Sequence, residues 1–244
     1  MPNWCENILV VYADNEHKIN LFYEENKTQK EELDFNCVCL LPEKLKNITS
    51  PNNNLSDNDK NSLINKYGYD NWYQWNIANW GTKWGSCETN VYKKNEYEKY
   101  ELTYYFNTAW TPPDKWFYKL IEKYSTNYDI KLEYSEPGCD FAGYIHYSEN
   151  ELLEDNYSFS EQLWNNCDKD EIKNIIIKII NEENVNITID DITELAMDEI
   201  QIDHVDCIIE NIEEMVKEEL DNRNNDNIKL KYNCKGFNIN KLNL

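Results

Sequence analysis

The sequence predicts an α+β fold in two unlike parts. Residues 1–150 form a split β-α-β-β-α-β sheet with an insertion (about 35–85) and an extra strand, and residues 151–244 form a mainly helical acidic region. Three observations carry this reading. Of the 33 aromatic residues, 28 fall in residues 1–150. All six prolines lie at or before Pro137, and no glycine occurs between Gly143 and Gly236. Apolar residues alternate in much of the first part and recur at helical spacing in the second.

In the first part, Asn7–Tyr12 is a strand run, and Glu16–Glu25 forms a helix with Ile19, Phe22 and Tyr23 inward. The Asn-rich stretch Pro51–Asn61 reads as a loop inside the insertion. Cys87–Lys93 and Tyr100–Asn107 are paired strands around the polar turn Lys94-Asn95-Glu96. Thr111-Pro112-Pro113-Asp114 opens a helix with Trp116, Leu120 and Tyr124 on one face. Ile130, Leu132 and Tyr134 alternate in the next strand, and Phe141–Tyr147 supplies one more. That order is the ferredoxin-like split βαβ arrangement with an added strand.

In the second part, Asp168–Asn181 is readable as a helix or as a buried strand. Asp190–Gln201 is a helix with Ile192, Leu195, Ala196 and Ile200 on one side. Val205, Ile208, Ile209, Ile212, Met215 and Val216 trace the apolar face of another. Asp203 caps that helix in this reading, and Ile228, Leu230 and Tyr232, alternating with lysines, form a short closing strand.

Charge excludes some classes of function. The chain has 24 Lys+Arg against 46 Asp+Glu, a net charge of −22. Residues 1–150 hold 15 basic and 23 acidic residues, and residues 151–244 hold 9 and 23. Such a molecule is repelled by phosphate backbones, so direct nucleic-acid binding is not expected. Arg223 is the only arginine beside 23 lysines and 37 asparagines, so bidentate arginine contacts are not its main device and the coding bias is that of an AT-rich genome. No apolar run reaches membrane-spanning length, and the start lacks a signal peptide's basic and apolar regions, so a cytoplasmic protein without membrane contact is expected. Eight cysteines with only Cys37 and Cys39 close together, and three scattered histidines, suit free thiols and not a metal site. No phosphate-cradling glycine loop, metal-binding histidine motif or nucleophile–histidine pair is present, so no cofactor, metal or catalytic residue is expected.

Four ordered segments carry a resemblance: Met1-Pro2-Asn3-Trp4-Cys5-Glu6-Asn7, Asn79-Trp80-Gly81-Thr82-Lys83-Trp84, Phe106-Asn107-Thr108-Ala109-Trp110-Thr111-Pro112-Pro113 and Glu136-Pro137-Gly138-Cys139-Asp140-Phe141-Ala142-Gly143. Together they resemble the YubB-like ferredoxin-fold family of phage- and plasmid-borne proteins, over about residues 1–147. The resemblance implies a ferredoxin-like fold and carriage on a mobile element, and it transfers no catalytic residue. The tryptophans of these segments suit packing of the sheet against its insertion. Lys83 is their only cation, and an ion pair with Glu136 or Asp140 is expected. The alternative is a small-ligand pocket or enzyme site built from Asn7, Trp80, Lys83, Trp110, Glu136 and Asp140.

The function expected is therefore that of a non-catalytic binding protein. From Asp190 to Asp221 there are 13 acidic residues and one basic. Glu210, Glu213, Glu214, Glu218 and Glu219 form an acidic surface for a basic host protein. A mobile-element origin makes a defence nuclease, including an RNA-guided CRISPR nuclease, the natural partner, and the protein a counter-defence (anti-CRISPR) inhibitor.

Overall fold

The computed structural model describes residues 2–51, 55–96, 99–182 and 188–236. It divides into two compact units, Met1–Phe159 and Ser160–Leu244. The first unit runs β1 (Trp4–Ala13), α1 (Glu16–Asn26), the inserted helices α2 (Asp57–Tyr67) and α3 (Trp72–Trp80), β2 (Cys87–Glu96), β3 (Lys99–Ala109), α4 (Asp114–Tyr124), β4 (Asp129–Glu136), β5 (Phe141–Ser148) and β6 (Glu151–Tyr157). The strands form one sheet in the order β2-β3-β1-β4-β5-β6, every neighbouring pair antiparallel. Its first four strands with α1 and α4 are the split βαβ arrangement that the sequence predicts, and β5 and β6 widen it.

Alternation assigns the two faces of the sheet. Cys5, Leu9 and Val11 of β1, Leu102, Tyr104 and Phe106 of β3 and Ile130, Leu132 and Tyr134 of β4 are buried with Phe22 of α1 and Trp116, Phe117 and Leu120 of α4. The insertion completes this core: Phe35, in a short 3-10 turn, stacks on Trp116 at 4.2 Å, and Trp80 of α3 meets Phe35 edge-on. The opposite face carries Ile8, Val10 and Tyr12 of β1 with Tyr105 and Tyr144, half-buried or exposed.

Several expectations change. The loop placed at Pro51–Asn61 is helical from Asp57 onward, because the Ser56 side chain accepts the Asp59 N–H and Gly68 closes the helix in the left-handed region. β2 and β3 run beyond the turn placed at Lys94–Glu96, with Glu96 opposite Lys99. Residue 150 lies in the turn between two strands, so the break falls after β6 and not near 150. Strand β6 pairs with β5 from Ala142–Tyr157 to Ser148–Glu151.

The second unit is helical: α5 (Phe159–Asn166), α6 (Lys169–Glu182), α7 (Ile189–Glu199) and α8 (Ile209–Gly236). Ile172, Ile176 and Ile179 of α6 are buried at i, i+4 and i+7, which resolves that segment as a helix. They pack with Ile192 and Ala196 of α7 and with Ile212 and Val216 of α8. Ile209, placed on the apolar face by spacing, is 39% exposed. Residues 205–208 form a 3-10 turn preceded by His204 in the left-handed region, and no side chain caps it, so Asp203 is not the cap. The closing strand placed over Ile228–Tyr232 is instead the continuation of α8.

Thr188 and Asp191 form a reciprocal capping box at the start of α7. Hydrogen bonds from the Thr188 side chain and backbone hold the Asp191 carboxyl below the usual aspartate range. A depressed folded-state pKa contributes stability above the unfolded value, lost as pH falls through the folded one. Thr188→Ala is therefore expected to cost about 0.5–2 kcal/mol at neutral pH. The difference from the parent should shrink as urea melts are repeated from about pH 4 downward.

Candidate functional site

At the end of the sheet where β1 begins, the four sequence motifs meet through backbone and side-chain hydrogen bonds. Asn7 is buried, and its Nδ2 donates to the Cys5 carbonyl at 2.8 Å and to Thr108 Oγ1 at 2.9 Å. Thr108 donates onward to the Thr111 carbonyl, Thr111 to the Gly81 carbonyl, and buried Thr82 to the Ala109 carbonyl. Trp80 points into the core and donates to the Cys39 carbonyl at 2.9 Å. Asn7 and Trp80 thus spend their polar hydrogens on backbone and neighbouring side chains.

Trp110, Lys83 and Asp140 are more accessible. Trp110 is 47% exposed at φ +72°, and its backbone N–H donates to the Asn3 carbonyl at 3.0 Å. Lys83 Nζ lies 4.4 Å from the Trp84 ring centre and 5.7 Å from that of Tyr73, and Trp84 in turn faces Trp4 at 6.3 Å. Among the described residues Lys83 makes no ion pair, so the expected bridge to Glu136 or Asp140 is replaced by cation–π contacts. Asp140, at φ +53°, accepts the Ser158 hydroxyl at 2.9 Å.

Glu136 is the unusual group. It is 3% exposed, its Oε1 accepts the Gly138 N–H at 3.0 Å, and its buried Oε2 has no hydrogen-bond partner. The adjacent thiols are not primed as nucleophiles. A hydrogen bond to Glu136 pushes Cys139 up, and burial pushes Cys5 up to about 12, so both stay protonated near neutrality.

The acidic surface lies on α7 and α8. Glu210, Glu214 and Glu218 are exposed and four residues apart, on the side of α8 away from buried Ile212 and Val216. Asp190, Glu194 and Asp198 repeat that pattern on α7. Two of the five predicted glutamates are already engaged: Glu213 with Lys217 at 3.3 Å, and Glu219 with Lys173 and Arg223, both at 3.8 Å.

Sequence reasoning missed a cleft at the other end of the sheet, with a volume of about 960 Å³. It gathers Tyr12, Lys99, Lys131, His146 and Ser148 around Asp129. Asp129 Oδ1 lies 2.7 Å from His146 Nε2, and Oδ2 accepts the Ser148 hydroxyl at 2.7 Å. Strand alternation places His146 and Ser148 on one face, but only the β4–β5 register brings Asp129 to them.

A family model described as a ferredoxin-like domain in Api92-like protein matches residues 79–173. That stretch starts in the last turn of α3, spans β2 to α5 and ends inside α6, at its fifth residue. The fold and this match define an α+β protein carrying a ferredoxin-like domain. No curated protein and no solved structure matches the chain. Among the described residues no helix is long and apolar enough to cross a membrane, and no group of three or more His, Cys, Asp or Glu side chains is placed to hold a metal ion.

Proposed function

We propose that the protein is a non-catalytic, mobile-element binding protein of the YubB-like kind, which uses the acidic face of its C-terminal unit to engage a basic host protein. The observation that carries this reading is the outward row Glu210, Glu214 and Glu218, on a helix held by its own apolar core. Fixed carboxylates at regular spacing offer a groove built for phosphates a competing anion that need not reorganise on binding. A cytoplasmic nuclease of a defence system, including an RNA-guided CRISPR nuclease, has the required chemistry, and its inhibition would be counter-defence. Glu213 and Glu219 take a supporting part through their ion pairs.

The test is a pull-down from a defence-bearing host lysate at low and high salt, with the tagged parent and the triple variant Glu210→Lys, Glu214→Lys, Glu218→Lys. The parent is expected to retain a basic nuclease at low salt and release it at high salt, and the triple variant to retain none. Lys83→Ala and Asp140→Asn are expected to bind like the parent. Equal retention by parent and triple variant sinks the proposal. A second reading, a small-ligand pocket or enzyme beside Trp110 and Lys83, draws support from the unpartnered Glu136 Oε2. Selective loss of function in Glu136→Gln, with normal partner retention, would favour it.

A further inference from the structure

The cleft at the β4–β5 end of the sheet has a charge balance unlike that of the chain. Lys18, Lys99 and Lys131 line it with His146, against Asp14, Asp129 and Glu149. Bases match acids there, whereas the whole chain has nearly two acids for each base. Asp14 is neutralised by Lys18 at 3.0 Å, and both oxygens of Asp129 are occupied by His146 and Ser148. Lys99 is exposed and makes no ion pair among the described residues, while Lys131, directly across from His146 in the β4–β5 register, is shared with Glu133.

Asp129 accepts a hydrogen at Nε2, which leaves Nδ1 as the second ring nitrogen, without a partner among the described residues. Neutral, Nδ1 only accepts; protonated, it donates to an anion. Tyr12 and Ser148 place hydroxyls on the same side, and Tyr12 keeps its proton because burial and nearby Glu101 and Asp129 push its pKa up.

We infer that this cleft binds a small phosphorylated molecule of about nucleotide size, with Lys99, Lys131 and His146 around the phosphoryl oxygens and Tyr12 against its uncharged part. The volume lies at the upper end of the roughly 300–1,000 Å³ usual for small-ligand sites. The net charge of −22 repels a nucleic-acid polymer over its whole length, but a single phosphorylated molecule meets only the local balance. Ammonium and imidazolium donors make short charge-assisted hydrogen bonds to phosphoryl oxygens.

Three histidines in the chain make the test direct. Inorganic pyrophosphate is titrated into the full-length protein while the imidazole C–H proton signals are followed, and the signal absent from His146→Gln identifies His146. The expected result is a saturable shift of that signal, while His17 and His204 stay put. Lys99→Gln, on an exposed side chain, should weaken binding by at least about threefold. No shift at millimolar pyrophosphate overturns the inference. So does an equal response to citrate, which would mark general anion attraction, or unchanged affinity in Lys99→Gln.

Discussion

Trp116→Ala is expected to destabilise the first unit by about 3–5 kcal/mol, read as a lower urea midpoint at unchanged slope in far-UV circular dichroism. Trp116 is fully buried on α4, stacks on Phe35 at 4.2 Å with planes 17° apart, and donates from Nε1 to the Phe35 carbonyl at 3.2 Å. Truncation opens a cavity between the helices and the insertion and removes one of three donors to that carbonyl, leaving the Val38 and Cys39 N–H groups. Trp116→Phe keeps much of the stack and loses the N–H, so its cost should fall near 1–3 kcal/mol. Trp110→Ala, on a side chain 47% exposed, should stay within about 0.5 kcal/mol. If the three variants fall in another order, the insertion is not fastened through Phe35 and Trp116.

The elements readable in the sequence are those whose own pattern matches what they bury. The i, i+4 and i+8 spacing of Trp116, Leu120 and Tyr124 sufficed for α4, and alternate Ile130, Leu132 and Tyr134 for β4. Strand β6 had no such pattern, since Leu152 and Leu153 are adjacent and both exposed. It forms because β5 offers a free edge and because Tyr134 of β4 reaches the Asn156 side chain across it. Helix α2 buries no residue fully; only Leu63 and Tyr67 pack in part against the core, and Ser56 at one end and Gly68 at the other set its limits. At the end of α8, apolar–lysine alternation imitated a strand, and helix propagation prevailed over that short pattern.

Site legibility divides in the same way. The outward row on α8 was visible because helix periodicity alone places Glu210, Glu214 and Glu218 together. That Glu213 and Glu219 are engaged was half visible, since Lys217 and Arg223 each lie four residues on, while Lys173 comes from α6. The Asp129–His146–Ser148 group was not visible, because strand register is a tertiary property.

Two glycines with nearly the same backbone separate conformational cost from packing cost. Gly68 and Gly81 sit at φ +82° and +86°, at the ends of α2 and α3. A Cβ on Gly68 meets nothing within 4 Å, so Gly68→Ala should cost only the left-handed penalty, about 1–2 kcal/mol. A Cβ on Gly81 would lie 2.0 Å from Asp114 Oδ1 and 3.1 Å from the Pro112 carbonyl oxygen. Asp114 Oδ1 also accepts the Lys115 N–H at 2.8 Å at the start of α4, so moving it disturbs that helix entry. The same segment anchors the end of β3, because the Gly81 carbonyl accepts from Thr111 and Thr82 donates to Ala109. Gly81→Ala is therefore expected to cost about 2–5 kcal/mol, the left-handed penalty plus the cost of overpacking. Urea melts of the two variants measure the difference. Equal costs would mean that Asp114 swings aside freely, and that the contact between α3 and the α4 entry does not hold the Trp84–Lys83 loop in place.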